Sequence, residues 1–163
     1  MDRIYESYYS PFPKPLLFIK ILKMINSTLS EKKFILTFGY GNHKDYDAFL
    51  KYIDEFKVAY VVDVRLSPRA WTRKWYGAAI EKICTSNNIQ YLAKASLGNT
   101  SGRSNWIPPE QAAADETLSE LADIIDTGNV LLLCAELDYL RCHRVEVATK
   151  LQALTNASVK HLK

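Results

Sequence analysis

The sequence predicts an α/β protein, a Rossmann-like three-layer sandwich built on a mostly parallel sheet. Two patterns lead to this expectation. Short apolar runs alternate along the chain with longer amphipathic stretches, the signature of βαβ units. The runs "VAYVVDV" (58–64) and "VLLLC" (130–134) are nearly continuous in apolar residues, as strands covered on both faces must be. A third observation concerns size. With 163 residues, 48% hydrophobic and 24% charged, the chain suits one soluble domain with a core large enough to need no staples.

"FILTF" (34–38) is rich in β-branched and aromatic residues and reads as the first strand, closed by a turn at Gly39 and Gly41. Over 45–56, Tyr46, Phe49, Leu50, Ile53 and Phe56 form the stripe of an amphipathic helix. The strand at 58–64 follows, then a loop rich in Arg, Pro and Trp, and a helix near 76–86. "IQYL" (89–92) is a short strand. Residues 93–109 form a long loop marked by Gly98, Gly102, Pro108 and Pro109. A helix near 110–126 buries Ala114, Leu118, Leu121, Ala122 and Ile125. "GNVLLLC" supplies the fourth strand, 141–155 a further helix with Val147, Leu151 and Leu154 inward, and "SVKHL" a last strand.

Residues 1–30 read as an arm or extension separate from a single domain over 31–163. "SPFPKP" places Pro11, Pro13 and Pro15 close together, which favours extended backbone. A short amphipathic helix is expected at 16–25, and Met24 is a candidate translation start. "PLLFIKILKMI" is too short to span a bilayer and is broken by Lys20 and Lys23; it also lacks a signal-peptide cleavage site, so no membrane association is expected. Three cysteines, Cys84, Cys134 and Cys142, lack the spacing of a disulfide framework and point to a reducing, cytoplasmic setting. A net charge of +3 allows an anionic partner without demanding one. No feature of the sequence sets an oligomeric state.

In parallel sheets ligands bind outside the carboxyl ends of the strands. That rule brings Gly39-Tyr40-Gly41-Asn42, Asp63-Val64-Arg65 and Cys134-Ala135-Glu136 to one edge. "LLLCAELDYLRCHR" (131–144) is the densest of these segments. Stepping back four residues from Val147 puts His143 on the inward face at the start of the last helix. Cys134 then lies near an imidazole, a helix N-terminus, Arg141 and Arg144, conditions that lower a thiol pKa. The plain alternative is that Cys134 is a small hydrophobe closing a strand. Likewise Asp63 and Glu136 either supply acid/base chemistry with His143 or pair with Arg65 and Arg144.

Specific thiol chemistries fail on spacing. A tyrosine-phosphatase loop needs arginine six residues after its cysteine, where Leu140 stands, and Glu136 and Asp138 would repel a phosphate. A rhodanese loop fails similarly. Zinc through Cys134, Cys142 and His143 lacks finger spacing, and neighbours on a helix point about 100° apart, so no metal and no cofactor are expected. Gly-x-Gly without further glycines is no dinucleotide fingerprint.

A second patch, "RLSPRAWTRKWY" (65–76), interleaves Arg65, Arg69, Arg73 and a lysine with Trp71, Trp75 and Tyr76. Arg103 and Trp106 add the same chemistry. Guanidiniums meet phosphates and indoles stack on unpaired bases; alternatively the tryptophans fill the core.

The segments "TFGYGN", "VDVRLSPRA", "IQYLAKASLGN" and "LLLCAELDYLRCHR" together resemble the DUF488 family of small prokaryotic proteins, over roughly residues 34–155. Asn99 stands where the family usually has a second glycine. The resemblance implies fold and site position; it implies no activity. Three functions are carried forward. The first is an anion-binding pocket for a nucleotide or nucleic acid, held by Arg65, Arg141 and Arg144. The second is a non-catalytic interaction or regulatory module. The third is a thiol-dependent enzyme or redox sensor using Cys134.

Overall fold

The computed structural model describes residues 32–163; the expectations for the arm, including the 16–25 helix and Met24, lie outside the described residues. Five strands form one sheet: β1 (Phe34–Gly39), β2 (Val58–Asp63), β3 (Gln90–Ala93), β4 (Asn129–Cys134) and β5 (Ser158–His161). Their order is β3-β2-β4-β1-β5 and every pairing is parallel. Four helices connect them: α1 (Asp47–Glu55), α2 (Gly77–Ser86), α3 (Gln111–Thr127) and α4 (Arg144–Leu154).

The three layers follow from the period-2 alternation of the strands. Leu131 and Leu133 of β4 pack with Val61 of β2, Phe49 and Ile53 of α1, and Ile80 and Cys84 of α2. Val130, Leu132 and Cys134 face the other way, with Val62 and Val64, onto α3 and onto Val147, Ala148 and Leu151 of α4. Connections leaving β1 and β2 therefore cross one face, and those leaving β3 and β4 cross the other. Between β2 and β4 the outgoing connections diverge to opposite faces, which opens the crevice where doubly wound sheets bind ligands.

The elements match the sequence expectation, with two local differences at the two ends of the last helix and one in α3, where Ala122, expected in the core, is only half-buried. The last helix begins at Arg144. Before it, Tyr139–Arg141 form a 3₁₀ turn and Cys142 is extended, with φ −123° and ψ 133°. Asp138 stops the chain from running straight into the helix, because its side chain accepts from the Leu140 N–H and tightens the turn. At the other end of α4, Leu154 is exposed. Ala148 fills the inward stripe that Leu154 was expected to share.

The strand pairing of β1 and β4 continues past both strand ends: Tyr40 N–H donates to the Cys134 carbonyl (3.1 Å) and Gly41 N–H to the Ala135 carbonyl (2.9 Å). Gly39 allows this approach. A Cβ at Gly39 would stand 1.8 Å from the Glu136 carbonyl oxygen, so the two backbones touch with no room for a side chain. Gly39→Ala is therefore expected to cost at least about 2 kcal/mol of stability, read as a lower urea midpoint with an unchanged m-value.

Candidate functional site

Three side chains converge at the carboxyl end of β4. The ligand atoms of Cys134, Cys142 and His143 all lie within 4.8 Å of one another, and all three residues are buried. Cys134 is brought there by the strand, Cys142 by the extended step after the 3₁₀ turn, and His143 by the N-cap of α4. The helical neighbour geometry expected for Cys142 and His143 does not hold, because the helix starts at Arg144 and not at residue 141. The two side chains turn toward each other, with Cys142 Sγ 3.9 Å from His143 Nδ1. His143 Nε2 lies 3.0 Å from the Val64 carbonyl at the end of β2. A carbonyl only accepts, so Nε2 carries the proton and Nδ1 presents its lone pair to the sulfurs. The trio opens onto a cleft of about 560 Å³, whose wall also includes Glu136, Arg141 and Arg103.

The two thiols divide their labour. Cys134 is brought down to about 7, first because the Cys142 thiol hydrogen-bonds it; burial opposes this, while the Glu136 and Ala135 N–H groups and the charge of Arg144 help. Cys142 is pushed well up, chiefly by the same hydrogen bond and by burial. Cys134 thus holds the negative charge and Cys142 the proton. Cys84, on the buried face of α2, is pushed up to about 12 by burial and then by Glu81. The arrangement can supply a soft nucleophile or ligand near neutral pH.

Asp63 shares the sheet edge with Cys134, opposite Leu133 in the β2–β4 ladder. It does not share its pocket. Alternation along β2 sends Val62 and Val64 to the Cys134 face and Asp63 to the opposite one. There its carboxylate accepts from Arg65 Nε (2.8 Å), from Arg65 Nη2 and from the Tyr91 hydroxyl (2.7 Å). Burial followed by the Asp63 bond pushes the Tyr91 hydroxyl up. Arg65 also donates to the Trp75 and Arg69 carbonyls; its charge, though disfavoured by burial, is held by Asp63. These groups pin the loop after β2 and leave Asp63 no free lone pair aimed at the thiols.

Arg144, expected to hold phosphate, is wholly buried. It donates from Nη1 to the Glu136 carbonyl and from Nη2 to the Leu137 carbonyl (3.2 Å). Sequence reading identified the guanidiniums, but their claimants come from other elements. Tyr91, which completes the Asp63 cluster, carried no motif signal.

The Arg/Trp patch separates into surface and core. Trp75 is buried, stacked on Tyr40 at 5.0 Å, and donates to the His43 carbonyl. Trp106 is also buried and donates to the Gly98 carbonyl (2.9 Å). Neither offers a free face to a base. Trp71 is fully exposed and is shared by two adjoining clefts of about 610 and 630 Å³. The first is lined also by Tyr40, Gly41, Asn42, Arg69 and Glu136, and the second by Lys44 and Lys74. Arg73 is exposed on the 3₁₀ turn Arg73–Trp75 and lines neither cleft.

The fold and site define a doubly wound α/β protein with a dithiol–imidazole cluster at the strand edge and no helix, among the described residues, long and apolar enough to cross a membrane. The chain belongs to the DUF488 family, a domain of unknown function whose model matches residues 45–151. No curated protein and no solved structure matches it.

Two outcomes are expected from this geometry. Arg65→Met, which strands Asp63 as an unpaired buried charge, should destabilise the protein by about 3–5 kcal/mol, seen as a large drop in denaturation midpoint. In chelator-containing buffer, iodoacetamide should modify Cys134 at a rate that rises through pH 7, by roughly tenfold between pH 6 and 8, as the thiolate fills. Cys84 should stay unmodified under the same conditions by peptide mass mapping, and Cys142→Ala should shift the Cys134 midpoint upward.

Proposed function

We propose that this protein binds a phosphorylated, base-bearing ligand, a nucleotide or single-stranded nucleic acid, in the clefts on either side of Trp71. The observation that carries the reading is the fully exposed indole of Trp71 standing over a polar cleft at the carboxyl ends of the strands. A large aromatic with both faces in water offers a stacking platform to a base. Arg69 on one side and Lys44 and Lys74 on the other supply cations for phosphates. Glu136, the one carboxylate lining the cleft beside Arg69, accepts from sugar hydroxyls. Arg141 and Arg103 extend the cationic path along the neighbouring cleft toward Cys134. Arg65 and Arg144 support the site from behind, and Trp75 forms the floor of the cleft beside Lys44 and Lys74.

Trp71 is the fully exposed tryptophan while Trp75 and Trp106 are buried, so the part of any ligand-induced quenching that is lost in Trp71→Ala reports on Trp71. Titration with ATP and with a mixed-sequence single-stranded oligonucleotide at low salt should quench this emission. Trp71→Ala should cost roughly 1–3 kcal/mol of affinity with little change in Tm, since the side chain buries nothing. Arg69→Ala should lower the salt slope of oligonucleotide binding by about one. Absence of binding by folded protein at low salt would overturn the reading and leave the interaction module as the better account.

A further inference from the structure

We propose that Cys134, Cys142 and His143 form a binding site for a zinc-class transition-metal ion, with a fourth position open to the cleft. The inference does not rest on the nucleotide reading: the three ligands line a cleft that Trp71 does not, although Glu136 borders both and Arg141 and Arg103 lead from one toward the other. Its first support is position. Three residues of the correct soft and borderline types place their ligand atoms within 4.8 Å of one another, with Cys142 Sγ 3.9 Å from His143 Nδ1. Tetrahedral zinc with bonds of about 2.0–2.3 Å holds its ligand atoms roughly 3.5–3.8 Å apart. Small side-chain rotations therefore close the site.

The second support is orientation. Metal-binding histidines commonly donate their other N–H to a carbonyl or carboxylate, which fixes the tautomer and aims the free nitrogen at the metal. His143 does this through Nε2 and the Val64 carbonyl. The carbonyl lies one residue past β2, while the ligands come from the end of β4 and the residues just before α4, so the sheet edge holds the ring.

The third support is access and charge. Three protein ligands leave one tetrahedral position, as in catalytic zinc sites, and the trio lines a cleft with Ser104, Glu136 and Arg141. Two thiolates and one divalent ion sum to zero charge, which a buried site tolerates. Arg144 nearby favours the thiolate forms. On binding, two Zn–S bonds and one Zn–N bond form, and the thiol protons pass to buffer, so affinity rises with pH. No electron changes hands.

The test uses the full chain, reduced with a phosphine and stripped with a chelator, and zinc or cobalt as the added probe. Equilibrium dialysis with zinc should give one ion per chain. Cobalt(II) should produce a near-ultraviolet thiolate charge-transfer band and intense visible bands of a tetrahedral ion. Cys142→Ser, checked for folding by circular dichroism, should abolish the charge-transfer shoulder contributed by its sulfur. It should also weaken zinc by more than the roughly 10–100-fold that loss of an outer-shell partner costs. A second variant, Cys84→Ser, should bind like the parent. Stoichiometry well below one in excess zinc, an octahedral cobalt spectrum, or unchanged affinity in folded Cys142→Ser would each overturn the proposal. None of these readings depends on nucleotide, so failure of the Trp71 titration leaves this result standing, and the reverse also holds.

Discussion

The contact on which the rest of the site depends is the close approach of the β1 end to the turn after β4, locked by Arg144. A wholly buried guanidinium is costly unless its donors are satisfied. Arg144 meets most of that requirement by giving Nη1 and Nη2 to the carbonyls of Glu136 and Leu137, while its Nε finds no partner among the described residues. The Glu136 carbonyl lies over Gly39, where no Cβ fits. The turn 135–138 is thereby bent back across the sheet edge. The chain then re-enters through a 3₁₀ turn, which delivers Cys142 and His143 to Cys134. A residue that looks on paper like a ligand clamp acts instead as the rivet that shapes the pocket.

A second constraint sorts the polar groups. Because strand side chains alternate, neighbouring strand ends send Cys134 and Asp63 to opposite faces. The Asp63–Arg65–Tyr91 cluster secures the loop that carries Arg69 and Trp71. The Cys134–Cys142–His143 cluster belongs to the face covered by α3 and α4. One sheet edge therefore holds two chemically distinct sites, with Glu136 on the wall of both clefts. Two thiols and a fixed imidazole lie on one side, and an exposed indole with exposed cations on the other.

The two tryptophans of the 65–76 loop illustrate how alike residues diverge. Trp75 is held by Tyr40, Tyr46 and Phe49 rings and by the His43 carbonyl, so it organises the core beneath the loop. Trp71, four residues earlier, has no such neighbours and faces solvent. The loop is rigid at its base and presents its tip.

The sequence by itself determined the layered α/β fold, the alternation of strands and helices, and the edge at which Gly39, Asp63 and Cys134 would meet. Those features rest on local periodicity: apolar runs are read residue by residue, and in doubly wound sheets strand ends share one side. It also located the cluster of thiol, imidazole and guanidinium at 134–144. Tertiary structure alone decided what each of those groups does. Whether Arg65 and Arg144 face a ligand or a carbonyl depends on backbone brought from residues 63, 69 and 75, or 136 and 137. Whether Cys142 and His143 splay or converge depends on a helix starting at Arg144, three residues later than periodicity suggests. Whether a tryptophan is core or platform depends on which rings arrive from other elements. These are competitions among contacts made across the fold, and no local pattern encodes their winner.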